Sequence, residues 1–159
     1  MGRTVYIETS VISYLTSRVS RNLIAAARQQ ITQTWWDSRL NYDLYISEAV
    51  SLECAAGDQN AAQKRLDAIE GLSLLRITKE AVELSKGMVA RGIIPVKAAE
   101  DSLHISIATI HAMDFLLTWN CKHIANPEMQ RQIALHLEEQ GLFLPFICTP
   151  EELLGDDNE

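Results

Sequence analysis

The sequence predicts a single α/β domain with a central parallel sheet of four to five strands and helices on both faces. Its 159 residues fit one hydrophobic core. Short segments rich in β-branched residues alternate along the chain with longer segments that repeat apolar residues every three or four positions. Such alternation is typical of parallel sheets, because parallel neighbours are joined by crossover helices. We expect the domain to cover 1–154 and the polar stretch 155–159 to be a frayed tail.

The predicted strands are short and mostly apolar. Val5, Tyr6 and Ile7 favour extended structure, and the charged Glu8 follows them. The predicted strands cover 4–8, 43–47, 72–77, 114–118 and 145–149.

The predicted helices carry recognisable start and stop signals. Gly57, Gly71, Gly92 and Gly141 each follow a helical pattern, where glycine readily ends a helix. The segment 96–112 is apolar almost all round, which predicts a central helix. The predicted helices cover 10–18, 21–39, 48–57, 60–71, 79–92, 96–112 and 127–141, followed by a last turn begun by a capping box at Thr149, Pro150 and Glu152.

Composition narrows the class of protein. No apolar run reaches the roughly 18 residues that span a membrane, and the first residues lack the apolar stretch of a signal peptide, so we expect a cytoplasmic protein. Cys54, Cys121 and Cys148 are too widely spaced for a zinc site or a disulfide framework, and we interpret them as free thiols.

The chain is acidic, with a formal net charge of −7. This charge argues against a broad nucleic-acid-binding face. It does not exclude a nuclease whose acids are covered by metal, or a local phosphate track made of a few basic side chains. The candidates for that track are Arg3, Arg18, Arg21, Arg28, Lys97, Lys122 and Arg131.

Four polar side chains fall at positions that favour a shared site. Ligand sites of parallel sheets form at the carboxyl ends of the strands, where Glu8 and Asn120 follow the first and fourth predicted strands. Glu53 and Asp101 lie on predicted helices in otherwise apolar surroundings, where an unpaired acid is unfavourable.

If Glu8, Glu53 and Asp101 converge, the repulsion between their negative charges must be offset. Two like charges 4 Å apart repel by about 4 kcal/mol at an effective dielectric near 20. Such a cluster persists only with shared protons or bound cations. Oxygen ligands select hard cations such as Mg²⁺ or Mn²⁺. An open carboxylate site of this kind suits phosphodiester cleavage.

The order of motifs resembles a known family. A strand ends in an acid followed by Thr and Ser; then come S-x-x-x-x-x-E-x-x-x-G at 47–57, E-D-x-x-H-I-x-I-A at 100–108, and L-L-T-W-N at 116–120. This pattern resembles PIN domains, in particular the VapC-like toxins of type II toxin–antitoxin pairs, and it extends over nearly the whole chain. The resemblance implies a Mg²⁺- or Mn²⁺-dependent endoribonuclease that hydrolyses RNA with a metal-activated water.

The resemblance also assigns residues. Glu8 and Asp101 correspond to metal ligands, and Glu53 to an acid that binds the metal directly or through water. Asn120, with Glu8, Glu53 and Asp101, completes the implied catalytic set. The implied supporting residues, which orient ligands or substrate, are Thr9, Ser10, Lys97, Thr118 and His123.

The sequence departs from the family pattern at two places. Glu8 stands where the family usually has Asp, and it reaches one methylene further. His123 and Ile124 replace an Asp-Phe pair, so the fourth carboxylate is missing. This puts a second metal in doubt and leaves open whether Asn120 or His123 completes the site.

Several side chains have an ordinary alternative role. We interpret His104 and His111 as core or rim histidines, because they lie on an apolar helix. Lys97 could meet a phosphate, pair with a carboxylate or be a simple first-turn lysine. Trp119 is the tryptophan that would be tested for base stacking, although core packing is the commoner role.

Other functions remain open at this stage. Phosphohydrolases of the haloacid dehalogenase type need D-x-D after the first strand, and Toprim enzymes need a later D-x-D; this chain has neither. The remaining alternative is a catalytically weak or inactive PIN-like module that binds RNA or protein. The implied partners are an RNA substrate, a small antitoxin protein and a second copy of the chain in a homodimer, with no role for a membrane.

Overall fold

The computed structural model describes residues 2–124 and 126–155. Its strands are β1 (Thr4–Ile7), β2 (Asp43–Ser47), β3 (Ser73–Leu75), β4 (Phe115–Leu117) and β5 (Phe146–Cys148). They form one parallel sheet in the order β3-β2-β1-β4-β5. The predicted fold class and strand number are therefore confirmed. The predicted tail falls mostly on 156–159, which lie outside the described residues.

The helices occupy the predicted connections. They are α1 (Thr9–Thr16), α2 (Leu23–Asp37), α3 (Glu48–Cys54), α4 (Gln59–Ile69), α5 (Lys79–Ala90), α6 (Ala99–Ile110), α7 (Pro127–Glu139) and α8 (Pro150–Leu154). Because crossovers between parallel strands are right-handed, α1 to α4 cover one face of the sheet and α5 to α7 cover the other. Within the described residues, no helix is both long and apolar enough to cross a membrane.

The structure shortens one predicted helix at its start. The segment predicted as a helix from residue 96 begins with a 3-10 turn, Val96–Ala98, and α6 starts only at Ala99. Pro95 precedes this turn in an extended conformation. The rest of α6 is buried along most of its length, which confirms that it is a central helix.

The core is centred on the two middle strands. Val5, Tyr6 and Ile7 of β1 are fully buried, as are Leu116 and Leu117 of β4. Strands buried on both faces read as continuous apolar runs, because helices cover both sides of a parallel sheet. From β1 the chain continues to β2 and β3 on one side and then returns to β4 and β5 on the other, so the strand order reverses between β1 and β4. A crevice at the carboxyl end of such strands is where parallel sheets place their sites.

Three helix ends share one geometry. α5, α6 and α7 each end in a paired set of backbone hydrogen bonds, in which the third residue after the helix donates to the carbonyl five residues before it. This Schellman arrangement requires a left-handed residue just beyond the helix. Gly92 and Gly141 fill that position for α5 and α7, and Ala112, with φ 54°, fills it for α6.

Candidate metal centre

The first strand places Glu8 at the carboxyl edge of the sheet. Glu8 caps α1 and is only 6% exposed, and its backbone N–H donates to Leu117 of β4. Its Oε1 accepts hydrogen bonds from the hydroxyls of Ser10 and Thr118, the latter at 2.7 Å. Ser10 and Thr118 thus fix one oxygen of Glu8, and Oε2 carries no side-chain bond within the described residues.

Glu53 reaches the same place from α3. Its Oε1 accepts from Thr9 Oγ1 at 2.5 Å and lies 2.7 Å from His104 Nε2. Glu8, Glu53 and His104 each offer a ligand atom within 4.8 Å of the others. The predicted convergence of Glu8 and Glu53 is therefore present in the structure.

A buried hydrogen-bond chain lies behind Glu53. His104 Nδ1 is 2.6 Å from the Tyr6 hydroxyl, which is 2.7 Å from Ser47 Oγ. Ser47 Oγ in turn accepts from the backbone of Val50 as the cap of α3. Both ring nitrogens of His104 are thus engaged, so this side chain is placed to orient Glu53 and not to bind a cation itself.

Asp101 lies outside the group whose ligand atoms are within 4.8 Å of one another, although the charge of Glu8 still acts on it. Its Oδ1 accepts from the Asn120 amide at 3.0 Å, and its Oδ2 is 3.4 Å from His123 Nδ1. The His123 backbone donates to Asn120 Oδ1 at 3.2 Å, which ties the two partners together. Where the family pattern has a fourth carboxylate, this chain places an amide and an imidazole against Asp101.

The charges of these groups interact. Burial raises the pKa of Asp101, and the negative charge of Glu8 raises it further, against the opposing effects of His104, His123 and Asn120. A cation close to such an acid stabilises its ionised form and lowers its pKa. The crowded carboxylates therefore favour cation binding.

The pKa values of His104 and Glu53 shift in opposite directions. Burial lowers the pKa of His104, but the bond to Glu53 and the charges of Glu8, Glu53 and Asp101 outweigh it and leave the pKa raised. Burial raises the pKa of Glu53, but His104 and Thr9 outweigh it and leave that pKa lowered. Both shifts favour the ion pair.

The donor set fits a hard divalent cation. Glu8 Oε2 and Glu53 Oε2 are carboxylate oxygens outside the hydrogen bonds described above, and Asp101 is adjacent to them. Within the described residues, no cysteine joins the group, and the histidine is engaged by its own partners. Oxygen donors of this kind suit Mg²⁺ or Mn²⁺.

Two predicted neighbours have other positions. Lys97 is exposed on the 3-10 turn and forms no ion pair with a carboxylate among the described residues. Trp119 is 7% exposed and donates to Thr32 Oγ1 at 2.8 Å, so it is a core side chain without a free face for base stacking.

The sequence analysis did not predict the hydrogen bonds that link Ser47, Tyr6 and His104. One signal was available: Tyr6 and Glu8 are two residues apart on one strand and therefore lie on the same side of it. Ser47 ends β2, at the same edge of the sheet as Glu8. His104 was interpreted as a core histidine, and its 1% exposure agrees with that interpretation.

Comparison with solved structures identifies the fold. The chain matches the crystal structure of VapBC2 from Rickettsia felis bound to a DNA fragment from their promoter, with TM-score 0.54 and 15% identity over 92% of this chain and 98% of that one. It also matches VapC20 of Mycobacterium tuberculosis, described as a sarcin-ricin loop cleaving toxin, with TM-score 0.58 and 14% identity over 77% of this chain and 95% of that one. No protein-family model and no curated protein matches the sequence. The chain has the fold of a VapC-like PIN domain.

Proposed function

We propose that the protein is a Mg²⁺- or Mn²⁺-dependent endoribonuclease, acting in the cytoplasm as the toxin of a toxin–antitoxin pair. The observation that carries this proposal is the approach of Glu8 and Glu53 at the carboxyl edge of a VapC-like sheet, with Asp101 beside them. The solved structures of similar fold support it, since one of them is described as a sarcin-ricin loop cleaving toxin.

In this proposal the cation would be held by Glu8 and Asp101, and by Glu53 directly or through water. When bound, Mg²⁺ or Mn²⁺ would lower the pKa of a coordinated water and stabilise negative charge on the phosphate oxygens. Ser10 and Thr118 keep the Glu8 carboxylate in one orientation.

The other side chains have orienting roles. Thr9 and His104 hold Glu53 through Oε1, which leaves Oε2 without a hydrogen-bond partner among the described residues. Asn120 and His123 hold Asp101. Lys97 is exposed near the start of α6, and its proposed role is contact with substrate phosphate.

The proposed partners are RNA, a small antitoxin protein and a second copy of the chain. Exposed apolar side chains support a protein partner: Leu23 and Ile24 of α2 are 87% and 67% exposed. They line a cleft that also contains Trp119, the neighbour of Asn120. A partner seated there would lie close to the site.

The decisive variant is Asp101→Asn, which keeps the size of the side chain and removes its charge. We expect Mn²⁺-dependent cleavage of RNA to fall by at least about a hundredfold, since charged groups that act in the transition state contribute on the order of 3 kcal/mol. The fold should survive, as circular dichroism would show. Undiminished, EDTA-sensitive cleavage by a purified Asp101→Asn protein would contradict the proposal. Absence of cleavage in the wild type as well would favour a module that only binds RNA or protein.

A further inference from the structure

A basic cleft lies between α1 and α4, one helical turn from the proposed metal site. It has a volume of about 410 Å³. Its lining from the end of α1 consists of the hydroxyl residues Ser13, Thr16 and Ser17, followed by Arg18; the lining from α4 includes Lys64 and Arg65. Ser13, Thr16 and Ser17 follow one another at three- and one-residue spacing along the end of α1, and Lys64 and Arg65 lie three and four residues after Ala61 on α4, which places each set at the cleft.

The cleft concentrates positive charge on an acidic protein. Arg18, Lys64 and Arg65 line it, and none of them pairs with a carboxylate among the described residues. The acid of the cleft, Asp58, directs its carboxylate to the backbone of Ala61 at 2.9 Å as the cap of α4. The net charge of −7 makes such a cluster of cations unusual here.

The walls of the cleft are fixed in place by internal hydrogen bonds. The Gln29 amide donates to Ser17 Oγ and to the Arg18 carbonyl, both at 2.7 Å, which holds the backbone that carries Arg18. Arg65 donates to the carbonyls of Cys54 and Ala56 at the end of α3. Arg18 and Lys64 are exposed at the rim, and their charged groups are free to meet a ligand.

The cleft begins one turn of α1 from the proposed site and extends to Arg18, beyond the end of that helix. Thr9, in the first turn of α1, donates to Glu53, and Ser13 of the cleft lies one turn further along. One turn of helix spans about 5.4 Å. A strand whose phosphate reaches Glu8 and Glu53 therefore has the cleft within reach of its neighbouring nucleotides.

We propose that this cleft binds the phosphate backbone of single-stranded RNA next to the position of cleavage. The choice of RNA as the ligand rests on the proposed function. Guanidinium, ammonium and hydroxyl donors match phosphate oxygens, and phosphate contacts position a nucleic acid without reading its sequence. An acidic protein segment also carries negative charge, but the proximity of the cleft to a phosphodiester-cleaving site favours RNA.

The test compares two double variants that remove the same charge. Arg18→Gln/Lys64→Gln changes the cleft and leaves Arg65 in place to hold α3. Lys79→Gln/Lys86→Gln changes two exposed lysines of α5, on the opposite face of the sheet. Binding of a short fluorescent single-stranded RNA is measured by anisotropy in EDTA at several salt concentrations, because EDTA suppresses metal-dependent cleavage.

The cleft variant is expected to bind RNA roughly tenfold or more weakly than the wild type. The slope of log affinity against log salt should fall by about 1.4, which is about 0.7 for each lost phosphate contact to a single strand. The α5 variant should match the wild type in both quantities. In Mn²⁺, the cleft variant should raise KM and leave kcat unchanged.

The inference and the proposed function fail separately. If the wild type cleaves RNA and the two double variants bind it equally, the cleft is not an RNA surface, although the function stands. If no cleavage occurs but the cleft variant alone loses RNA, the cleft assignment stands and the nuclease assignment fails. Weaker binding of an acidic peptide, with RNA binding unchanged, would assign the cleft to a protein and overturn the inference.

Discussion

Glu8 and Glu53 each commit one oxygen to hydrogen bonds within the protein. Hydroxyls hold Glu8 Oε1, and Thr9 with His104 holds Glu53 Oε1. A carboxylate fixed in this way presents its second oxygen in a single orientation, so less entropy is lost when a ligand binds.

The His104–Glu53 pair makes stability depend on pH in a defined direction. His104 has a raised pKa, so its contribution is fully present below its unfolded pKa of about 6.5 and is lost as pH rises through the higher folded value. Glu53 has a lowered pKa, so its contribution is present above its unfolded value and is lost as pH falls through the folded one. The pair is strongest in the window between these limits.

We expect His104→Gln to cost most between about pH 5 and pH 6.5, because both partners are then charged in the wild type. The loss should be on the order of 2 kcal/mol there and smaller above pH 8. Urea unfolding of both proteins in EDTA across this range measures it. Lys79→Gln, a variant at an exposed ion pair, is the control and should show no such profile. A cost for His104→Gln that is equal at every pH would contradict the charged pair.

The sequence predicted these residues unevenly. Glu8 and Asn120 were proposed because they follow strands of a parallel sheet, whereas Glu53 was proposed from its apolar surroundings on a helix and from its spacing in the family pattern. The bond of His104 to Tyr6 crosses 98 residues, and pattern reasoning along one helix does not reveal it. Whether Asn120 or His123 completes the site was left open by the sequence, because both lie in the turn after β4, where tertiary contacts set the direction of side chains; both contact Asp101.

At the scale of elements, the helix ends show how local chemistry sets boundaries. Gly92, Gly141 and Ala112 occupy equivalent left-handed positions after α5, α7 and α6. All three ends were predicted two residues too late, at 92, 112 and 141, and lie at Ala90, Ile110 and Glu139. The predicted ends fall on the left-handed residue itself, which lies two positions beyond the last helical residue.

Ala112→Gly should stabilise the protein. A left-handed alanine costs about 1 kcal/mol, part of which is offset by the greater freedom of glycine in the unfolded chain. We expect a net gain of about 0.5 kcal/mol, or a rise of about 1–2 °C in Tm.

Gly92→Ala is the matched control. No atom lies within 4 Å of the position of an added Cβ, so this substitution adds backbone strain without a clash. It should lower Tm by a few degrees, since strain and the lost hydrogen-bond geometry act together. A lower Tm for Ala112→Gly would show that the Ala112 methyl group contributes packing that outweighs its strain.

At the scale of the whole molecule, the sheet gathers acids from three separate parts of the chain. Glu8 and Glu53 approach each other at the carboxyl edge of the sheet, and Asp101 is near enough for the charge of Glu8 to raise its pKa. The fold tolerates their repulsion through hydrogen bonds and through His104. A cation would remove much of the remaining cost, so the stability of the domain should be linked to divalent metal.

We expect Mn²⁺ or Mg²⁺ to raise the Tm of the wild type and Glu8→Gln to remove that rise. At a metal concentration of about 100 times Kd, the gain is about 2.7 kcal/mol. In EDTA the order should reverse, with Glu8→Gln at least as stable as the wild type, because one repelling charge is gone. Differential scanning fluorimetry with and without metal measures both effects. A wild type that is indifferent to both metals would favour the non-catalytic binding module.

The position of β1 in the middle of the sheet has a kinetic consequence. This strand pairs with β4 through residues more than a hundred positions later, and Glu8 meets Thr118 across 110 residues. Contacts between such distant parts of a chain form late, because closing the long loop between them loses entropy before the contact energy is gained. On a ribosome, β1 and Glu8 are synthesised more than a hundred residues before β4 and Thr118. The acidic centre is therefore assembled near the end of folding, and a nascent or truncated chain that stops before β4 cannot form it.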